Sequence, residues 1–230
     1  MPYKRKYKRK STGLAKRVKV LETKQRADDK NTEYKVAYYS LQQILDNSWG
    51  TNYGMAPRTA QGAEAETSMV GVGDVRIGNE LNLRHWSLEG YVELPKSTDG
   101  TPTFPLSQVP CRIIIADNLT DDTGLSAADV LQNPLSGPQS LISPYKNSVA
   151  GGKRYRIHAD YKFTLTAEKD KRIRFKLKLP KSGRVIHYAN ATDVHPSDFN
   201  ISMMFFANVS VAGSNHPKFT YVIKSRFTDA

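Results

Sequence analysis

The sequence predicts an all-β body, a sandwich or closed barrel, carried behind a basic N-terminal arm. Eight short stretches read as strands, several with the two-residue apolar period of a half-buried strand. Loops punctuated by Gly and Pro separate them, and only one short stretch of the body reads as a helix. The charge is divided: residues 1–30 hold twelve Lys or Arg against three acids, net +9, and the other 200 hold 22 against 19, net +3. With 230 residues and 39% hydrophobic content, the chain has enough apolar material for one sizeable core.

The arm opens MPYKRKYKRK, which crowds Lys4, Arg5, Lys6, Lys8, Arg9 and Lys10 around Tyr3 and Tyr7, with no acid before Glu22. Such a segment repels itself and has too little apolar surface to fold alone. From Ser11 the pattern changes. Ser11 or Thr12 suits a helix N-cap, and Leu14, Val18 and Leu21 then fall on one face, with Lys16, Arg17, Lys19 and Lys24 on the remaining surface. A helix this short is marginal in water and needs a partner for its apolar stripe. The arm, residues 1–30, is therefore expected to bind nucleic-acid phosphates through Lys4, Arg5, Lys6, Lys8, Arg9, Lys10, Lys16, Arg17, Lys19 and Lys24. Tyr3 and Tyr7 are placed to stack on unpaired bases. The same run suits a nuclear-localisation address; a solvated tail is the plain alternative.

The body, residues 31–230, is read in order. EYKVAYYSLQQIL (33–45) suits a strand with a more helical end, and residues 47–73 read as a polar loop. In DVRIGNELNLRHWSLEGYVELP, Val75, Ile77, Leu81 and Leu83 share one parity, and Trp86, Leu88, Val92 and Leu94 the other. A one-residue change of phase is the mark of a β-bulge. PCRIIIADN (110–118) reads as a buried strand, and LSAADVLQN (125–133), with Ser126 as cap and Pro134 as stop, as the helix. RYRIHADYKFTL (154–165) alternates throughout, placing Tyr155, Ile157, Ala159, Tyr161, Phe163 and Leu165 on one face, and RIRFKLKLP (172–180) alternates likewise. VIHYA (185–189), FNISMMFFANVSV (199–211) and KFTYVIKSRF (218–227) complete the strands. Opposite the core faces lie Arg154, Arg156, His158 and Lys162, then Arg172, Arg174, Lys176 and Lys178. If those two strands pair, they make one basic surface: a solvated face, a second binding surface or a subunit contact.

Several chemistries find no support. Cys111 is the only cysteine, so no disulfide forms within the chain. His85, His158, His187, His195 and His216 show no zinc spacing. GVGDVRIG (71–78) runs from loop into strand, the wrong context for a dinucleotide site. Asp193, His195 and Ser197 are close in sequence but not spaced as a relay. No enzyme is expected. No apolar run suits a signal peptide or membrane span, so a soluble protein made in the cytosol is expected, with no membrane insertion.

The order of these words resembles the single jelly-roll capsid proteins of the satellite tobacco necrosis virus type, which include capsids of small circular single-stranded DNA viruses. The resemblance rests on KRKSTGLAKRVKVLE, DVRIGNELNLRHWSLEG, CRIIIADNLTDDTGLSAADVL, SPYKNSVAGGKRYRIHADYKFTL and the terminal FTDA, in order across most of residues 5–230. It implies an eight-stranded jelly roll of two packed antiparallel sheets, strands B to I. It also implies a closed icosahedral (T=1) shell of about 60 copies, with the arm turned to a single-stranded DNA or RNA genome. It further implies residence in the virion, host cytoplasm and nucleus, and, as further partners, an import receptor and a cell-surface receptor. Calcium between subunits is implied as well: Asp229 matches a carboxylate ligand position, and Asp117, Asp121 and Asp122 lie in DNLTDDTG. Turn residues and a terminal carboxylate are the simpler reading of those acids. The alternative from a different class is a non-assembling single-strand-binding β-barrel.

Overall fold

A computed structural model describes residues 13–31, 34–53, 55, 57, 76–95, 108–119, 123–135, 137–146, 154–166, 169–190, 193, 195–209 and 216–229. The side chains of residues 14, 15 and 25–31 are outside that description, as are Tyr3, Tyr7, Ser11, Thr12, Val75, Asp121 and Asp122. The chain divides into two compact units, Met1–Tyr34 and Lys35–Ala230.

The first unit holds helix α1, Gly13–Asn31. Between Leu14 and Asn31 there is no Gly or Pro, and most residues are strong helix formers, so the helix runs well past the Leu14–Leu21 stripe that suggested it.

The second unit is made of β1 (Lys35–Ile44), β2 (Gly50–Asn52), β3 (Glu80–Glu93), β4 (Gln108–Asn118), α2 (Ala127–Val130), α3 (Pro138–Ile142), β5 (Tyr155–Thr166), β6 (Lys171–Lys176), β7 (Arg184–His187), β8 (Ile201–Ala207) and β9 (Lys218–Asp229). One sheet runs β1-β9-β3-β6, with β7 also on β3; the other runs β2-β8-β4-β5. Every strand pairing is antiparallel. With β1 to β5 lettered B to F, β6 and β7 together G, β8 H and β9 I, the sheets are BIDG and CHEF. That order is the jelly roll.

The described residues hold nine strands: the eight stretches read from the sequence, with 172–180 and 185–189 as the two pieces of strand G, and the short β2. β6 pairs with Ser87–Val92 of β3, and β7 with Glu80–Leu83. Between them Pro180 has no N–H to give, and Gly183 takes a left-handed φ of 83°. Asn82 and Arg84 on β3 hold the excursion by donating to the carbonyls of Ser182 and Lys181, at 3.0 and 3.3 Å.

The expected phase change in β3 is present. Its register against β9 slips between Leu83 and His85, leaving Arg84 as the extra residue, and Leu81, Leu83, Trp86, Leu88 and Val92 all face the core. Ile77 does not; it is 68% exposed. Trp86 fills the middle of the sandwich, donating from Nε1 to the Met55 carbonyl at 2.8 Å and meeting Phe175 edge-on at 5.7 Å. Asn52 on β2 donates to the Tyr221 hydroxyl on β9, tying the two sheets through the interior.

Other expectations need correction. The 47–73 segment contains strand β2, whose three residues are too few for a periodic signal, and β1 remains a strand to Ile44, pinned by β9 along its whole length. The β5 alternation does not keep one face: register against β4 slips between Ile115 and Ala116, so His158 is extra. Ala159, Tyr161 and Phe163 pack on the main core, whereas Tyr155 and Ile157 pack on a second cluster outside the sheet. β5 and β6 edge different sheets, so the two basic runs do not form one surface. The expected helix at 125–133 is the single turn α2, because Leu131 leaves it to bridge with Tyr145; α3 was expected as loop.

The second cluster explains why Ile113–Ala116 is apolar without alternation. Ile113 and Ile115 face the main core, and Ile114 and Ala116 pack with Leu125, Ala127, Val130, Leu131 and Met204. Ser126 opens the α2 turn as its N-cap, its N–H and hydroxyl both donating to Asp129 Oδ2 at 2.8 and 2.6 Å. Beside it, the buried Arg112 guanidinium grips Asp160 at 3.0 and 2.9 Å and donates to the carbonyls of Ser140 and Ser143 at 3.0 and 2.9 Å. The Tyr145 hydroxyl adds a bond to Asp160 at 2.6 Å. Burial opposes ionisation of Asp160, but the Arg112 and Tyr145 hydrogen bonds outweigh it and hold its pKa below the usual carboxylate value. This clamp fastens the 138–145 segment to the outside of CHEF.

Arg112→Met keeps most of the volume but leaves Asp160 and two carbonyls without their donor. It is expected to cost about 3–5 kcal/mol, measured as a lower urea midpoint; an unchanged midpoint would show that the clamp is not a stabilising element.

Candidate nucleic-acid interface

Six of the ten predicted phosphate ligands, Lys4, Arg5, Lys6, Lys8, Arg9 and Lys10, lie outside the described residues. The other four, Lys16, Arg17, Lys19 and Lys24, stand on α1, all exposed. At about 100° per residue, these four occupy an arc of about 160°, and Val18 and Leu21 lie opposite within about 60°. The helix is about 28 Å long at 1.5 Å per residue. Val18 and Leu21 are 46% and 65% exposed, so the apolar stripe is uncovered at those positions. A rod cationic on one side and apolar on the other can lay charge against a polyanion while its second face takes a protein partner.

Where the chain leaves this unit, Lys35 opens β1. Its ammonium lies 2.5 Å from Asp229 Oδ2, and Asp229 Oδ1 accepts the Ile77 N–H at 3.0 Å. Both oxygens of the candidate calcium ligand are thus engaged within the chain, fastening the end of β9 to the start of β1. Calcium takes six to eight oxygens, and among the described residues no three His, Cys, Asp or Glu side chains form a metal-binding group. These residues do not fit a calcium shell around Asp229. Asp117 is buried in β4, with Arg184 at 3.7 Å and His158 at 3.9 Å from its Oδ2.

Sequence reading missed Arg76, which is fully buried. It donates to the carbonyls of Gly78, Asn190 and Asp193, the last two at 2.8 and 3.0 Å, and stacks on Tyr188 at 4.0 Å. An arginine in a Gly-flanked polar stretch carries no periodic signal that would mark it as core.

The described residues show no catalytic relay. Burial pushes the Cys111 thiol up to about 12, which leaves it no nucleophilic thiolate near neutral pH. Asp193 accepts the Asn190 N–H at 3.1 Å, and the Ser197 hydroxyl donates to the His187 carbonyl at 3.2 Å, so the pair are held apart from any shared proton path. No described helix is long and apolar enough to cross a membrane.

No protein-family model matches the chain, and no curated protein matches it. Among solved structures it is similar to a chain from Desmodium yellow mottle tymovirus, at 9% identity and a TM-score of 0.39 over 86% of this chain and 90% of that one. It is also similar to a chain from the structure of a marine algae virus of the order Picornavirales, at 10% identity and a TM-score of 0.32 over 97% and 87%. With identities and TM-scores this low, the jelly roll stands on its own strand order, and the role is argued from the chain itself.

One titration is set by the geometry. His187 Nδ1 lies 2.6 Å from Asp198 Oδ2, and its Nε2 lies 3.6 Å from Glu80. The Asp198 hydrogen bond raises the His187 pKa above its ordinary 6.5. The protonated imidazole is favoured in the fold, so its contribution is complete below that ordinary value and fades as pH rises through the raised one. His187→Gln is therefore expected to lower Tm more at pH about 5.5 than at about 8.5. An equal deficit at both pH values in thermal melts would refute the coupling.

Proposed function

We propose that this chain is a viral capsid protein that assembles into a small icosahedral shell and packages a single-stranded genome through its basic arm. The observation that carries the reading is the division of charge between two structural units. A helix with Lys16, Arg17, Lys19 and Lys24 exposed stands directly ahead of a nearly neutral jelly roll. A jelly-roll body is a compact tile with two packed sheets, and closed symmetry lets identical tiles form a shell without free ends. The exposed Val18 and Leu21 give α1 a surface that symmetry mates would cover. The resemblance to satellite-type and circular single-stranded DNA virus capsids supports the same reading and supplies the copy number.

At about 60 copies, arms of net +9 would bring roughly 540 positive charges to the cargo, and each phosphate neutralised releases a counterion. The attraction is then independent of base sequence and steeply salt-dependent. The Lys/Arg run before Ser11 also suits nuclear import, the route a genome replicated in the nucleus requires. Nuclease typing of the cargo separates DNA from RNA.

Purified protein at low salt is expected to elute as virus-sized particles containing nucleic acid. Deleting residues 1–30 is expected to preserve the β-type circular dichroism and to reduce the 260/280 nm absorbance ratio towards that of protein alone. A monomer that binds single strands would instead support the non-assembling β-barrel. Truncated shells with undiminished cargo would remove the arm from the mechanism.

A further inference from the structure

We infer that the outward face of the β1-β9-β3-β6 sheet is a second binding surface for single-stranded nucleic acid, centred on Lys176, Lys224 and Arg226 around His85. Register assembles it. Tyr38 on β1 sits opposite Lys224 on β9, Lys224 opposite Ser87 on β3, and Ser87 opposite Lys176 on β6. Neighbouring strands lie about 4.8 Å apart, so the two lysines flank Ser87 within about 10 Å of each other. In the adjoining row Arg226 faces His85. Lys176, Lys224 and Arg226 are all exposed.

The outward Glu89 does not neutralise the two lysines. Glu89 is engaged one row away by Arg172 and by Arg174, the latter at 3.1 Å. Among the described residues Lys176 makes no ion pair, and Lys224 meets only the Tyr38 ring, at 5.4 Å. Burial lowers the His85 pKa, and Lys176, Lys224 and Arg226 lower it further, the effect expected of cations gathered around one imidazole. Like charges gathered on one sheet face are destabilising unless an anion joins them. The opposite sheet differs: its outward Arg112 is paired to Asp160 beneath α3. Two half-exposed aromatics, Tyr38 and Tyr91, lie under Lys224 and Arg172, both at 5.4 Å, and offer stacking platforms for unpaired bases. Cations that track a backbone beside rings that accept bases favour a single strand over an anionic membrane.

The inference rests on the nucleic-acid reading above, and the full-length chain tests the two separately. Fluorescence anisotropy with a labelled 20-nucleotide single strand, over a salt series, compares wild type with three variants. Lys176→Gln/Lys224→Gln is expected to bind severalfold more weakly, with the log K against log salt slope shallower by about 1.4, two contacts at about 0.7 each. Lys176→Arg/Lys224→Arg, which keeps the charge, is expected to bind like wild type. Lys16→Gln/Lys19→Gln on α1 reports the arm. If the arm variant weakens binding while the Gln sheet variant leaves affinity and slope unchanged, the sheet face is refuted and the arm reading stands. If neither variant alters binding, both fall. A Gln sheet variant that loses affinity for phosphatidylserine vesicles but not for the oligonucleotide would assign the face to a membrane and overturn the inference.

Discussion

Two sheets packed face to face around Trp86 impose the constraint to which the rest of the body conforms. β3 must pair with β7 over its first part and β6 over its second, while presenting apolar side chains to one core throughout. Strict alternation would turn either Leu81 and Leu83 or Trp86 and Leu88 to solvent. The extra residue Arg84 removes that conflict. It also sets which residues face out, since His85 and Ser87 reach the outer surface because the phase has already changed. The His158 bulge in β5 does different work, carrying Tyr155 and Ile157 out of the main core to pack on the cluster beneath α2 while Ala159 and Phe163 stay inside.

The cations of the chain fall into two populations with different physical roles. Arg112, Arg76 and Lys35 lie where water is scarce, and each meets carboxylates or carbonyls that the fold provides. They fasten loops and edges to sheets, and their charge is absorbed inside the molecule. Lys16, Arg17, Lys19 and Lys24 on α1, and Lys176 and Lys224 on the sheet, stand exposed. Charge of the second kind contributes nothing to the core and acts over a Debye length in solution. The Lys35–Asp229 pair ties the first residue of β1 to the last residue of β9 within BIDG.

Much of the fold was legible in the residues because alternation and turn chemistry are local. The bulge in β3 follows from the change of parity between Leu83 and Trp86, and the double burial of β4 from the unbroken run Ile113–Ala116. The α2 cap follows from Ser126 and Asp129. β2 was not legible, since three residues carry no period; 172–180 and 185–189 did read as separate strands, but their common pairing with β3, across an excursion held by Asn82 and Arg84 on Ser182 and Lys181, was not. The β5 bulge was hidden because its sequence alternates through the point where its partner does not. The buried roles of Arg112 and Arg76 were not legible, because their acceptors come from distant segments of the chain.

By itself the sequence determined the separation of a cationic, helix-forming leader from a strand-rich, nearly neutral body, because net charge and hydrophobic period belong to contiguous stretches of chain. Only the tertiary structure decided which cations share a surface. Residues 154–162 and 172–178 looked like one basic face and belong to opposite sheets, whereas Lys176 gained Lys224 and Arg226 as neighbours through β3 and β9. Neighbours across a sheet are set by strand order, and strand order is settled by long-range pairing that no local window contains.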